Sequence, residues 1–135
     1  MYIIIVGLGG IGRSLTAQSV ENGDNVVIID RNEQRCIEML EQYDVLAVTG
    51  NATDKAILKD AGIDRADSLV ATTGDDSVNL MTCWLAKRFK VPNVVSIVND
   101  VEHSDLFKEV GVKISENPDE LVATRLYYWA RNPIL

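Results

Sequence analysis

Six short apolar runs punctuate the chain: Tyr2–Val6, Val26–Ile29, Leu46–Thr49, Ser68–Thr72, Val94–Val98 and Val112–Ile114. They are rich in β-branched residues and nearly continuous in hydrophobicity. Strands of a parallel sheet read this way because both of their faces are covered and neither meets water. Each gap between them is long enough for one helix. Ile11, Leu15 and Val20 mark a first helix from about Gly10 to Asn22, and Ile37, Met39 and Leu40 a second from Glu33 to Tyr43. Thr53 suits the N-cap of a third, Asp54–Ala61, with Gly62 just past its end. Val78, Met81, Leu85 and Phe89 space a fourth, Asp75–Lys90, which Pro92 closes; Gly111 follows a fifth, Ser104–Val110.

Six strands alternating with five helices define an α/β class, the doubly wound six-stranded parallel sheet of the Rossmann fold. The expected strand order is 3-2-1-4-5-6 with right-handed crossovers. At 135 residues the chain is one ordinary domain, without repeats or linkers. Residues 1–117 are expected to form this sheet unit, and 118–135 a C-terminal helix with its tail.

That last segment is different. Within Pro118–Arg131, Leu121 and Tyr128 form one apolar stripe, Val122, Leu126 and Trp129 a second, and Tyr127 widens the surface. A helix covering a sheet needs one stripe. The second predicts a helix that crosses to another subunit; a helix buried wholly in its own fold is the alternative.

Between the first strand and first helix lies Gly7-Leu8-Gly9-Gly10-Ile11-Gly12, and Asp30 closes the second strand. Each part has its own task in holding a dinucleotide or adenine nucleotide. Gly7 permits the tight turn, Gly9 lets backbone approach a pyrophosphate, and Gly12 lets helix and sheet pack closely. A glycine turn alone is weak evidence, because such turns are common; its placement between strand and helix, with the acid downstream, makes it specific. The helix N-terminus supplies free N–H groups for the phosphates, and Arg13 in its first turn can add charge, although a solvated surface role suits Arg13 equally. Asp30 can accept both ribose hydroxyls and repel a 2′-phosphate, which favours NAD(H) or ATP/ADP over NADP(H). The neighbouring Arg31 works in the opposite direction.

Ligands of open parallel sheets bind at the carboxyl ends of the strands. Small and polar residues gather at each such end here: Asn51, Ala52 and Thr53 beside the adenosine end, then Thr72, Thr73, Gly74, Asp76 and Asn79 across the first strand. Asp76 also suits a plain helix N-terminus.

Catalytic machinery is scarce. His103 is the only histidine, and the start of a helix explains it; Tyr127 and Tyr128 have no lysine at relay spacing. The nucleotide fold takes up the chain and leaves nothing to hold a substrate, so no catalytic residue is assigned. The formal net charge of −7 argues against nucleic acid as a partner. Cys36 and Cys83 are far apart, with no adjacent histidine, and read as buried thiols rather than metal ligands. No apolar run approaches the ~20 residues needed to cross a bilayer, and Met1 leads straight into the first strand, so a soluble, cytoplasmic protein is expected.

The stretches GLGGIGRSL, VVIIDRNEQRC and VTGNATDKAILKDAGIDRADSLVATTGDDSVNLM together resemble the RCK/KTN domain, the N-terminal nucleotide-binding domain of Trk-type potassium uptake regulators. The part from Gly50-Asn51 to Asp76-Ser77-Val78-Asn79 is far more specific than the glycine loop. The resemblance, over residues 1–117, implies a non-enzymatic regulatory subunit that senses NAD(H) or ATP/ADP and gates a membrane potassium transporter or channel. It also implies a location at the inner face of the membrane through that partner, and homodimers that build into rings through a crossing helix. Family members often carry Arg at Gly10 and Gly-Asp at Gly50-Asn51, and longer members continue into a second ligand-binding lobe. Two other readings start from the same loop: an NAD-dependent oxidoreductase or its cofactor domain, and a scaffold whose nucleotide is purely structural.

Overall fold

The computed structural model describes residues 1–132; residues 133–135 of the terminal segment lie outside the described ones. The sheet is all parallel, in the expected order β3-β2-β1-β4-β5-β6. Its strands are β1 (Tyr2–Val6), β2 (Asn25–Asp30), β3 (Leu46–Thr49), β4 (Ser68–Ala71), β5 (Asn93–Val98) and β6 (Lys113–Glu116). The helices are α1 (Gly10–Glu21), α2 (Glu33–Gln42), α3 (Lys55–Asp60), α4 (Asp76–Arg88), α5 (Ser104–Val110) and α6 (Pro118–Arg131), with short 3-10 turns at Ile63–Arg65 and Val101–His103. Gly62 and Gly111, expected just past helix ends, sit at φ +81° and +83°, where a β-carbon is disfavoured.

The sheet separates two cores. Ile4 and Val6 pack with Leu58, Leu69, Cys83 and Phe107 on the α3–α4–α5 face. Ile3, Ile5 and Leu8 pack with Ile28, Cys36 and Met39 on the α1–α2 face. Full burial of each such side chain is worth roughly 1.5–3 kcal/mol, which is why the central strand reads as an unbroken apolar run. Both cysteines are buried free thiols, and burial pushes the Cys83 thiol up to about 12.

Several helix faces differ from the sequence pattern. The buried face of α1 is Gly12, Thr16 and Ser19, while Ile11 is exposed and Leu15 and Val20 only half-buried. The close approach at Gly12 leaves room only for small side chains, and the Thr16 and Ser19 hydroxyls are satisfied by donating to the Gly12 and Leu15 carbonyls. On α2, Cys36 and Met39 face inward and Ile37 and Leu40 outward; on α4, Met81 is exposed. The cap of α3 is Asp54, which accepts from the Ala56 N–H. Thr53, expected in that role, instead bonds to the Asn51 side chain.

Among the described residues, apolar surface is left uncovered in two places. Beside α1, an open groove of about 340 Å3 runs along Ile11, Leu15, Val70, Val95 and Ile97. Asn117, at φ +45°, turns the chain out of β6 into α6, and every described residue from Asp119 onward is exposed. Leu121, Val122, Leu126, Tyr127, Tyr128 and Trp129 are each more than half exposed, and neither core of the described residues includes them.

Candidate nucleotide site

The strand ends of β1, β2 and β4 open onto a cleft of about 210 Å3. Its floor is the turn out of β1. Gly7 has φ +98° and donates its N–H to the Ile29 carbonyl at 2.9 Å. A β-carbon on Gly7 would lie 3.0 Å from Thr72 and Thr73, and one on Gly12 would lie 1.8 Å from the Gly7 carbonyl oxygen. The fold itself therefore requires these two glycines. Gly9 and Gly10 are different: a β-carbon on either meets nothing within 4 Å. Their smallness leaves open the space in front of α1.

That space has an electrostatic character. Helices α2, α3 and α4 each begin with a side-chain cap, from Asn32, Asp54 and Asp75 respectively. Helix α1 has no side-chain cap and no acid in its first turn. Its first N–H groups and the positive end of its dipole are left for an external anion.

Asp30 forms the neighbouring wall. Its Oδ2 accepts from the Leu8 N–H at 2.7 Å and its Oδ1 from the Asn32 N–H at 2.8 Å. The carboxylate thus braces the glycine turn against the start of α2, and each oxygen keeps lone-pair capacity toward the cleft. Arg31 lines the rim as the sequence suggested, and Arg35 joins it. Arg35, in the first turn of α2, escaped the sequence reading. Gly50 also lines the cleft, as do Val6, Ile29 and Val78, which were not anticipated.

The other candidates divide into lining and supporting residues. Leu8, Asn51, Ala52, Thr72, Thr73 and Gly74 line the cleft with Gly7 and Gly9. Thr72 Oγ1 bonds to the Val6 and Gly7 carbonyls at 2.9 and 3.1 Å, tying β4 to the glycine turn. Gly10 and Ile11 line the neighbouring groove, while Gly12, Arg13 and Thr53 are not among the lining residues of the cleft. Asn79 and Asp76 lie behind the wall. Asn79 is fully buried; its Nδ2 donates to the Thr73 carbonyl, and its Oδ1 accepts from the Thr73 N–H and hydroxyl. Asp76 points toward the end of β5, where it accepts from the Asn99 and Asp100 N–H groups and meets His103 Nδ1 at 2.7 Å. Burial pushes its carboxyl up, but the Asn99 N–H, His103 and the Asp100 N–H together hold it below the ordinary range.

The lining groups can bind an anion and a diol. They include no His, Cys, Lys or Tyr, and both oxygens of their one carboxylate, Asp30, are held by backbone N–H groups. Among the described residues no cluster of His, Cys, Asp and Glu could hold a metal, and no helix is long and apolar enough to cross a membrane.

Comparison with known proteins places this arrangement in a family. The model of the TrkA-N domain matches residues 3–118. A Trk system potassium uptake protein TrkA homolog of Methanothermobacter thermautotrophicus is 33% identical over 123 residues, covering 91% of this chain and 57% of that protein. The chain therefore spans little more than half the length of this relative. The RCK domain of GsuK is 30% identical with a TM-score of 0.74, over 86% of this chain and 25% of that one. The GsuK channel bound to NAD, 22% identical with a TM-score of 0.75 over 84% of this chain and 21% of that one, shares the fold. By sequence and by architecture alike, the chain belongs to the TrkA-N domain family.

Proposed function

We propose that this chain is a nucleotide-sensing regulatory domain of a potassium transport system. It binds NAD(H), with ATP or ADP as the alternative ligand, and passes its occupancy to a membrane transporter or channel subunit from the cytoplasmic side. The observation that carries the reading is the uncapped N-terminus of α1, facing open space beside Asp30. The pyrophosphate sits on the N–H groups of Gly9–Gly12 and the ribose on Asp30, with the base toward Asn51 and Ala52. Support comes from the relatives that are Trk potassium uptake proteins and from the NAD-bound GsuK channel. The lining residues hold no acid–base pair, which favours binding without turnover.

Regulation requires that two states differ in affinity for the ligand. A homodimer supplies the second state: the bare apolar surface of α6 is covered by another copy, and nucleotide binding alters how the copies meet. On this reading residues 1–117 are the sensor and 118 onward the contact, and dimers can build into a ring. Calorimetry with NADH, NADPH, ATP and ADP is the direct test. Binding of NADH in preference to NADPH supports the proposal; no binding of any of the four at millimolar concentration removes it.

A further inference from the structure

Behind the cleft wall a chain of hydrogen bonds leads from solvent to the ligand side. His103 ends the 3-10 turn after β5, with 46% of its side chain exposed. Its Nδ1 lies 2.7 Å from Oδ2 of Asp76, whose side chain is only 7% exposed. Oδ1 of Asp76 accepts from the Asn99 N–H at 2.8 Å and from Asn99 Nδ2 at 3.0 Å. Asn99 Nδ2 also donates to the Thr73 carbonyl at 3.2 Å. Thr73 lines the cleft, and Asn79 grips it from the helix side. One ionisable surface group is thus three hydrogen-bonded steps from the wall the nucleotide touches.

We propose that Asp76 and His103 form a proton-dependent clamp that positions the Thr73–Gly74 wall, so that nucleotide is held more tightly when His103 carries its proton. The inference rests on the nucleotide reading of the cleft. Its physical basis is the buried charge of Asp76. With His103 cationic, that carboxylate has a paired counter-charge. With His103 neutral it keeps only dipolar donors, and a buried carboxylate without a counter-charge is unfavourable. The loss is shared by Asn99, and through Asn99 by Thr73. The charged groups that bear on His103 are Asp76 from α4 and Asp100 and Glu102 from its own turn, all of them acids. Glu116 of β6 is engaged elsewhere, accepting from the Ser104 hydroxyl. The bond to Asp76 accordingly raises the His103 pKa, and the acids on its own turn reinforce the rise. Asp76 and His103 act through Thr73 and are positioning residues.

The test follows the backbone amide resonances of Thr73 and Gly74 in the full, ligand-free chain by NMR. The range is about pH 5.5 to 8.5, where histidines titrate. In the native chain both amides should shift in step with the His103 ring, and in His103→Gln they should stay level. Calorimetric titration with NADH should show affinity falling about fivefold across that range, at the low end of ordinary coupling, and flat in His103→Gln. Asp76→Asn, which keeps the shape and removes the charge, should lose the same pH dependence while retaining a cooperative melt. Amides that ignore His103 overturn the clamp. Amides that follow it while NADH affinity does not overturn its link to the ligand. If none of NADH, NADPH, ATP and ADP binds at any pH, the nucleotide reading and the affinity step fall together, and the amide shifts still decide the clamp.

Discussion

At single residues the glycine loop separates what the fold needs from what a ligand needs. Gly12→Ala puts a β-carbon 1.8 Å from the Gly7 carbonyl oxygen, so helix and strand must move apart, at a cost of roughly 3 kcal/mol in chemical denaturation. Gly9→Ala meets nothing within 4 Å and should leave stability within about 1 kcal/mol while abolishing NADH binding. Equal effects of the two on stability would contradict this division. Asp30 braces the fold and, in the proposed function, also holds the ribose. Asp30→Ala frees the Leu8 and Asn32 N–H groups, so it should cost about 2 kcal/mol as well as weaken nucleotide binding and reduce discrimination against NADPH. An unchanged NADH/NADPH preference would count against its ribose role. The Asp76–His103 pair sets a pH window for stability. His103 has its pKa raised from 6.5, so its contribution is full below 6.5 and fades as pH rises through the raised value. Asp76 has its pKa lowered from 3.8, so its contribution is present above 3.8 and fades as pH falls through the lowered value. The stability margin of the native chain over His103→Gln should therefore be largest between these two ordinary values and shrink toward alkaline pH. Urea unfolding at a series of pH values reads it directly, and a margin that does not change with pH would show that the pair is not ionic.

Among the elements, α1 and α6 show how a helix's role follows from what it can approach. Gly12, Thr16 and Ser19 let α1 sit low on the sheet, and the same choice leaves Ile11 and Leu15 at an open groove. Helix α6 has the opposite problem, with six large apolar residues each more than half exposed and outside both cores of the described residues. A monomeric soluble protein rarely presents so continuous an apolar surface. Replacing Leu126 and Trp129 with Glu should convert dimers to monomers in sedimentation velocity while leaving the melt of the sheet domain unchanged. Dimers that persist would place the contact elsewhere. Strand order was legible in the sequence, because an unbroken β-branched run suits a strand covered on both faces, as β1 is. The edge strands β3 and β6, and β5 beside the groove, are covered less fully, and β6 runs Lys113–Glu116 where Val112–Ile114 was expected. Helix faces were less legible. Ile37, Leu40 and Met81 have helical spacing yet face solvent, since the inward face is decided by how closely each helix lies to the sheet, a distance that periodicity does not encode.

Over the whole molecule, ligand binding and folding are linked. NADH at a hundredfold excess over its Kd should raise stability by about 2.7 kcal/mol, seen as an upward shift of several degrees in Tm. A melt unmoved by saturating NADH, NADPH, ATP and ADP alike would separate this chain from nucleotide sensing despite its architecture. By itself the sequence determined the doubly wound sheet, the glycine turn at the end of the first strand, and the acid at the end of the second. Those depend on local chemistry: continuous apolar runs, residues able to take positive φ, and a topology that leaves few ways to order six parallel strands. Only the tertiary structure decided which polar residues face the cleft. Asp76 and Asn79 stand near it in sequence but are turned behind its wall, because the N–H groups beyond β5 and the backbone of Thr73 capture them. Arg35 is brought to the rim because the first turn of α2 delivers it there. A side chain's partner across 20 or more residues is set by packing and hydrogen-bond supply, and these exist only once the strands have met.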